Sequence, residues 1–86
     1  MNKFYVYMLV AKRKGRLISY VGYTINLSKR LNLHNQSKAA KFTRGSNWKI
    51  VYKEIHKSKS KALKAEYKLK KNYLLRKKIK QKYLNV

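Results

Sequence analysis

Cysteine and proline are absent from this 86-residue chain, and glycine occurs only three times. The lack of cysteine excludes disulfides, thiolate metal sites and cysteine nucleophiles, and it fits a reducing compartment. With no proline and so little glycine, the chain has few points at which a flexible linker would interrupt it. These absences favour a single folded domain over residues 1–86, which relies on a small core for its stability.

Acidic residues are almost as scarce. Glu54 and Glu66 are the only carboxylate side chains against 24 Lys and Arg, so the formal net charge is +22. A field of this size favours a polyanionic partner, with DNA or RNA as the first candidate and an anionic membrane surface as the second. The chain is nevertheless 44% hydrophobic and 13% aromatic, which indicates a folded protein and not a disordered basic tail.

Long hydrophobic runs are also missing. The apolar stretch FYVYMLVA, residues 4–11, is short and is followed by KRKG, so it predicts a buried strand and not a signal peptide. No segment is long enough to span a bilayer, and RKKIKQKYL has too few large apolar residues for firm membrane insertion. We therefore expect no membrane partner and an intracellular location, cytoplasmic in a bacterium or nuclear for a viral or eukaryotic source.

The segments that are present predict an α+β fold with the order β-β-α-β-α-α. We expect the three strands to pair in one antiparallel sheet and the helices to cover that sheet. The turn KRKGR, which contains Gly15, joins the first two strands. Asn26 and either Ser58 or Ser60 cap the first two helices. The expected strands are residues 3–10, 17–24 and 48–55, and the expected helices run from 26 to about 36, from 58 or 60 to about 73, and through a lysine-rich end at about 75–86.

Glu66 is predicted to face inward. On a helix over residues 62–73, Ala62, Ala65, Leu69 and Tyr73 share one face, and Glu66 falls on that apolar arc. A carboxylate turned toward a sheet is costly without a cation beside it. From geometry alone Glu66 is an inward salt bridge, a metal ligand or catalytic acid, or a residue at a solvated edge. Glu54, at a strand end, is expected to face solvent.

Two tyrosines are predicted to stand side by side on the sheet. If Leu9 pairs with Ile18, Tyr7 lies opposite Tyr20 and Tyr5 lies opposite Gly22, a strand glycine that leaves room for another group. Ordinary cross-strand aromatic packing is the alternative explanation of this pair.

The next helix carries Arg30 and His34 as i and i+4 neighbours, with His34 tilted toward the core. An arginine here is a phosphate contact or a solvated residue, and a histidine here is a structural hydrogen-bonding residue or a functional one.

Taken in order, these residues resemble a known family. YVY at 5–7, YVG at 20–22, Arg30, His34 and Glu66 are similar to the motifs of the GIY-YIG nuclease superfamily, and closest to small stand-alone members that resemble the N-terminal nuclease domain of UvrC. The resemblance extends from about residue 3 to 74 and includes KFTRG at 41–45. Two positions depart from the pattern: Tyr5 replaces the usual glycine, and Tyr23 stands where UvrC-type domains carry a lysine.

The resemblance implies metal-dependent phosphodiester cleavage by Tyr7, Tyr20, Arg30, His34 and Glu66. Glu66 would be the ligand of Mg²⁺ or Mn²⁺, which needs few protein ligands when phosphate and water complete its shell. Arg30 would hold the scissile phosphate. Tyr7, Tyr20 or His34 would activate the water, and a tyrosine would need its pKa lowered by a nearby metal or by Arg30 to do so.

The basic surface is expected to hold the backbone of DNA, or of RNA, without reading its sequence. The expected contacts are Lys41, Arg44, Lys64, Lys68 and Lys71. Trp48 either stacks on unpaired bases or packs in the core. We therefore expect an endonuclease of structure-dependent or nonspecific action, with repair, recombination and mobile-element roles all open. The alternative is a basic binding module that keeps this fold without activity.

Overall fold

A computed structural model describes residues 3–84 and shows a three-stranded antiparallel sheet with helices on both faces. The α+β class and the element order are therefore confirmed. Residues 1–2 and 85–86 of the expected domain lie outside the described residues. The elements are β1 (Phe4–Arg13), β2 (Arg16–Thr24), α1 (Leu27–Asn35), a 3-10 helix (Lys41–Thr43), β3 (Lys49–His56), α2 (Lys59–Lys71) and α3 (Tyr73–Leu84).

The hairpin between β1 and β2 has a different register from the one expected. Leu9 pairs with Tyr20 and not with Ile18, so Tyr7 lies opposite Gly22 and Tyr5 lies opposite Thr24. The cause is a two-residue turn, in which Lys14 and Gly15 have φ angles of 53° and 77°. Two successive positive φ angles are typical of the tight hairpin turn whose twist matches the strands. Because the register differs by two residues, each side chain keeps its expected face.

The sheet order is β2-β1-β3, which places β1 in the centre and buries both of its faces. Val6, Met8 and Val10 pack on one face with Ala62 and Leu69 of α2. Leu9, Ala11 and Trp48 share the other face with Tyr7, beneath Leu27 and Leu31 of α1. Trp48 therefore packs in the core, which is one of its two predicted roles. The candidate residues of β1 and β2 lie under α1.

The helix caps lie where the sequence predicts them. Asn26 accepts a hydrogen bond from the Lys29 amide, and Ser58 accepts one from the Lys61 amide. These side chains satisfy amides that have no partner within the helix.

The expected inward position of Tyr73 is wrong. The Asn72 side chain accepts from the Leu75 amide, so a new helix begins there and the 62–73 helix stops at Lys71. Tyr73 opens α3 and is 62% exposed. No helix within residues 3–84 is both long and apolar enough to cross a bilayer.

Glu54 does not face solvent as expected. Its two carboxylate oxygens accept hydrogen bonds, one from the Tyr52 hydroxyl at 2.6 Å and the other from His56 Nε2 at 3.0 Å. The side chain is half-buried because it lies on the face of β3 that α2 and α3 cover, whereas Ile55 points to the other face and is exposed. The hydrogen bond to Glu54, together with burial, raises the pKa of Tyr52 to about 12.

Candidate active site

A buried series of hydrogen bonds connects β1, α1 and the 3-10 helix. The Tyr7 hydroxyl lies 2.9 Å from His34 Nε2, and His34 Nδ1 lies 2.9 Å from Thr43 Oγ1. Thr43 in turn donates its hydroxyl proton to the Ala40 carbonyl oxygen at 2.9 Å. His34 and Thr43 are almost fully buried, so these groups exchange hydrogen bonds with one another and not with bulk water.

The donor-to-acceptor direction of these hydrogen bonds sets the tautomer of His34. Because the Thr43 proton is committed to Ala40, Thr43 Oγ1 can only accept, and His34 Nδ1 must carry the proton. His34 Nε2 is then bare and accepts the proton of the Tyr7 hydroxyl. Burial, assisted by the positive charge of Arg30, lowers the pKa of His34, so the ring is neutral near pH 7. A neutral imidazole with a bare nitrogen on a phenol is arranged to take up the phenolic proton.

Trp48 holds the 3-10 helix in place through hydrogen bonds. The indole nitrogen donates to the Thr43 carbonyl oxygen at 2.8 Å, and the Trp48 amide donates to Asn35 Oδ1 at 2.6 Å. The KFTRG segment therefore has a structural role at Thr43, which sequence reasoning missed. Thr43 lies nine positions beyond His34 along the chain, and no local pattern connects two such residues.

Gly22 gives Tyr7 the space it occupies. A Cβ atom built at Gly22 would lie 2.5 Å from the Tyr7 hydroxyl oxygen and 3.1 Å from a ring carbon of Tyr20. The phenol of Tyr7 therefore lies directly over the β2 backbone. The Tyr20 ring lies close to both Tyr7 and His34: its centroid is 6.5 Å from that of Tyr7 and 5.0 Å from that of His34. The expected proximity of the two phenols is present, although the register that produces it differs.

Arg30 and Glu66 act on both phenols through their charges. Burial raises the pKa of Tyr7 and of Tyr20, and the negative charge of Glu66 raises both further, while Arg30 lowers them. Glu66 belongs to α2 on the opposite face of the sheet, yet α2 packs against β2, the edge strand beneath the phenols. A tyrosine acting as the base was expected to have its pKa lowered by a nearby metal or by Arg30. Arg30 by itself does not bring either pKa below its ordinary value, because burial outweighs the single guanidinium.

Glu66 is inward, as predicted, and poorly paired. Its side chain is 19% exposed, and the Lys70 nitrogen approaches one oxygen at only 3.9 Å. Such a long contact to a lysine on the next helical turn is a weak ion pair. Within residues 3–84, no three His, Cys, Asp or Glu side chains converge to hold a metal by themselves. The donor set fits a magnesium-type ion that takes one carboxylate from the protein and its other ligands from phosphate and water.

The expected nucleic-acid contacts fall in two places. Lys41 and Arg44 are exposed at the 3-10 helix, on the same face of the sheet as Tyr7 and Tyr20. The others are exposed on α2, namely Lys64, Lys68 and Lys71. Tyr23, the departure from the lysine of UvrC-type domains, packs against the core on the α2 face, away from Tyr7.

Comparison with known proteins gives a consistent family. The protein-family model described as the GIY-YIG catalytic domain matches residues 3–82 of this chain. A UPF0213 protein of Bacillus licheniformis is 43% identical over 84 residues, which cover 96% of this chain and 80% of that relative. A UPF0213 protein of Staphylococcus haemolyticus is 39% identical over 71 residues, covering 81% and 83%. One of Clostridium perfringens is 43% identical over 68 residues, covering 78% and 70%. No solved structure matches the chain.

Proposed function

The chain belongs to the GIY-YIG family of nuclease domains, and we propose that it is a divalent-metal-dependent endonuclease that hydrolyses phosphodiester bonds in DNA. The observation that carries this proposal is the Tyr7–His34 hydrogen bond of 2.9 Å, with the direction that Thr43 imposes on it. A proton-transfer pair requires this direction, because the base must be bare on the side of its donor.

The proton path follows from that direction. The Tyr7 hydroxyl passes its proton to His34 Nε2, and the phenolate oxygen takes a proton from the attacking water. The water oxygen bonds to phosphorus, the phosphodiester P–O bond breaks, and the leaving oxygen takes a proton from a solvent water. Because His34 is buried, its extra proton returns from Nε2 to the Tyr7 oxygen, and Tyr7 releases its own hydroxyl proton to solvent. The bare nitrogen of His34 gives the phenolic proton an acceptor, but burial raises the pKa of Tyr7 and lowers that of His34. The transfer therefore depends on the positive charge of Arg30 and of a metal at Glu66, which would favour the phenolate.

Arg30 is assigned to the phosphate. Its charge already acts on Tyr7, Tyr20 and His34, so an anion bound between them and Arg30 meets a guanidinium. A planar guanidinium pairs with two phosphoryl oxygens at once and offsets the negative charge that develops on them.

Glu66 is assigned to the metal. Mg²⁺ or Mn²⁺ at this carboxylate would polarise a phosphoryl oxygen and acidify a bound water. After burial, which is the main cause, the negative charge of Glu66 also raises the pKa of both phenols, so neutralising that charge favours the phenolate. This is the physical reason for a half-buried carboxylate at this place in so basic a protein.

The exposed cations Lys41, Arg44, Lys64, Lys68 and Lys71 are assigned to the nucleic-acid backbone. Contacts of lysine and arginine with phosphate position the substrate without selecting a sequence. We propose structure-dependent or nonspecific cleavage, which weakens steeply as salt rises.

The test compares the two glutamates of the chain. Wild type, Glu66→Gln and Glu54→Gln are assayed for nicking of linear, flapped and branched DNA in EDTA, Mg²⁺ and Mn²⁺. We expect cleavage only with metal, a loss of about 100-fold or more in Glu66→Gln, and near wild-type cleavage in Glu54→Gln. Glu54 is the matched control because it is also half-buried but belongs to the Tyr52–His56 cluster.

Tyr7→Phe completes the test, because it keeps the ring and removes the proton donor to His34. We expect the same loss as in Glu66→Gln with retained DNA binding. Tight DNA binding with no metal-dependent cleavage by wild type would overturn the proposal and leave a basic binding module on this fold.

A further inference from the structure

Phe42 is a large apolar side chain left half-exposed beside the proposed active site. Its ring is 49% exposed, and it lies against the Tyr20 ring with centroids 6.4 Å apart and planes inclined by only 22°. Tyr20 in turn contacts the His34 ring. The ring of Phe42 thus continues the line of aromatic side chains from the proposed proton relay outward to the surface.

The position of Phe42 is fixed by an arginine that sequence reasoning did not identify. Arg13, at the end of β1, donates to the Phe42 carbonyl oxygen at 2.8 Å and to the Arg44 carbonyl oxygen at 3.2 Å. It also donates to the Ser46 hydroxyl, and its guanidinium carbon lies 5.2 Å from the centroid of the Phe42 ring. Arg13 therefore holds this segment. The Phe42 ring also lies 6.2 Å from the Trp48 ring, and these contacts leave about half of Phe42 exposed.

The surroundings of Phe42 select a ligand that is both planar and anionic. Lys41 precedes it, and Arg44 follows two positions later, and both are exposed. An apolar ligand would gain nothing from these cations, and a phosphate alone would gain nothing from the ring. A nucleotide satisfies both, because its base stacks on an aromatic ring and its phosphate pairs with the flanking cations.

We propose that Phe42 is a stacking site for one unpaired nucleobase next to the scissile phosphodiester. This inference rests on the proposed nuclease function, and it names the substrate class as DNA or RNA with an unpaired nucleotide at the cleavage position, such as a single strand, flap or loop. In a continuous duplex both faces of every base are covered by neighbouring bases, so a duplex cannot use this ring without unstacking. The preference for unpaired structures therefore arises from Phe42, and the phosphate contacts are common to all substrates.

The test measures binding separately from cleavage. A single strand of about 12 nucleotides, carrying 2-aminopurine at successive positions, is titrated with the full chain bearing Glu66→Gln in EDTA. Stacking on an aromatic ring is expected to quench the fluorescence of 2-aminopurine at one position. The same protein is titrated with the blunt duplex of that sequence by fluorescence anisotropy.

Three additional substitutions are compared in this background. Phe42→Leu keeps an apolar contact for Tyr20 and removes the ring, while Phe42→Tyr keeps the ring. Tyr73→Ala removes another exposed aromatic side chain, which lies at the start of α3. Circular dichroism confirms that each variant is folded.

We expect Phe42→Leu to abolish the quenching and to weaken single-strand binding about tenfold, with duplex binding changed less than about twofold. Phe42→Tyr and Tyr73→Ala should retain both single-strand properties. Equal loss on single strand and duplex, or unchanged quenching in Phe42→Leu, would overturn the inference.

The two proposals fail in different ways. If the base-dependent binding difference is found but the wild-type chain cuts no substrate, the stacking site stands and the nuclease function falls. If wild type cuts and Phe42→Leu cuts flaps and duplexes in the wild-type ratio, the nuclease function stands and the stacking site falls.

Discussion

Thr43 has a single hydroxyl proton, and the use of that proton decides the state of His34. Without the hydroxyl, His34 Nδ1 loses its acceptor, and the tautomer with hydrogen on Nε2 becomes competitive. In that tautomer Nε2 donates to Tyr7, and the Tyr7 proton has no adjacent base. A fully buried residue thereby controls the proposed relay through His34.

We predict that Thr43→Val reduces kcat about tenfold at pH 7, because one buried hydrogen bond of ~1–1.5 kcal/mol holds the productive tautomer. Thr43→Ser restores the hydroxyl and should restore most of the rate. The ¹⁵N resonances of the His34 ring report the tautomer directly, with Nδ1 protonated in wild type and a mixture in the valine variant. A valine variant that keeps both the wild-type ring resonances and the wild-type rate would contradict this role.

Gly22 and Gly15 allow a matched comparison, because each is a glycine of the β1–β2 hairpin with a different reason for being one. At Gly22 an added methyl collides with the Tyr7 hydroxyl, whereas at Gly15 there is open space but φ is +77°.

We predict that Gly22→Ala lowers kcat/KM by on the order of 100-fold through displacement of Tyr7. Gly15→Ala is expected to cost about 1 kcal/mol of stability, because alanine resists positive φ, and to leave kcat unchanged below the melting temperature. Urea unfolding and steady-state cleavage of one flapped substrate measure the two effects. Equal kinetic losses in the two variants would show that Tyr7 is not the target.

At the scale of elements, α1 is a nine-residue helix that positions both Arg30 and His34. So short a helix is marginal by itself and depends on its cap and on packing over β1. Asn26 supplies the cap through a 3.1 Å hydrogen bond from the Lys29 amide.

We predict that Asn26→Ala lowers the free energy of unfolding by about 1 kcal/mol, while Asn26→Ser stays near wild type. Urea titration monitored by Trp48 fluorescence measures the change, since Trp48 is buried on the α1 face. Because the cap does not touch the relay, kcat at low temperature should be the same in all three proteins. A large kcat loss in a fully folded alanine variant would show that the helix end moves the site.

At the scale of the whole molecule, the net charge of +22 does not account for the positions of the two glutamates. Glu54 joins Tyr52 and His56 in a hydrogen-bonded cluster, and Glu66 lies near the phenols with only a weak lysine contact. Neither is an exposed residue that merely offsets neighbouring lysines. Excess positive charge is thus left for a polyanion, and the carboxylates serve one structural and one proposed catalytic site.

The stability of the whole molecule should depend on His34 in acid. Its pKa is lowered in the fold from about 6.5, so below pH 6.5 the unfolded chain binds more protons than the folded one. We predict that the free energy of unfolding falls as the pH decreases from 7 to 5. Urea unfolding in a His56→Gln background measures this dependence with His34 as the remaining imidazole. A flat profile across this range would contradict the lowered pKa of His34.

The sequence by itself determined the element order, the helix caps and the identity of the candidate site residues. Alternation in β1 and β2 fixes which side chains share a face, and Asn26 and Ser58 fix where helices begin, because these signals act within a few residues. The inward direction of Glu66 followed from helical periodicity in the same way.

Only the tertiary structure decided the hairpin register, the partners of Glu54 and the hydrogen bonds that orient His34. The register depends on the backbone angles of a two-residue turn, which sequence separation alone does not specify. Thr43, Trp48 and Arg13 meet their partners across elements that are distant along the chain, and only packing brings such groups together. Burial also raises the pKa of Tyr7, whereas a role as a base requires a lower one, because desolvation depends on every neighbour that excludes water.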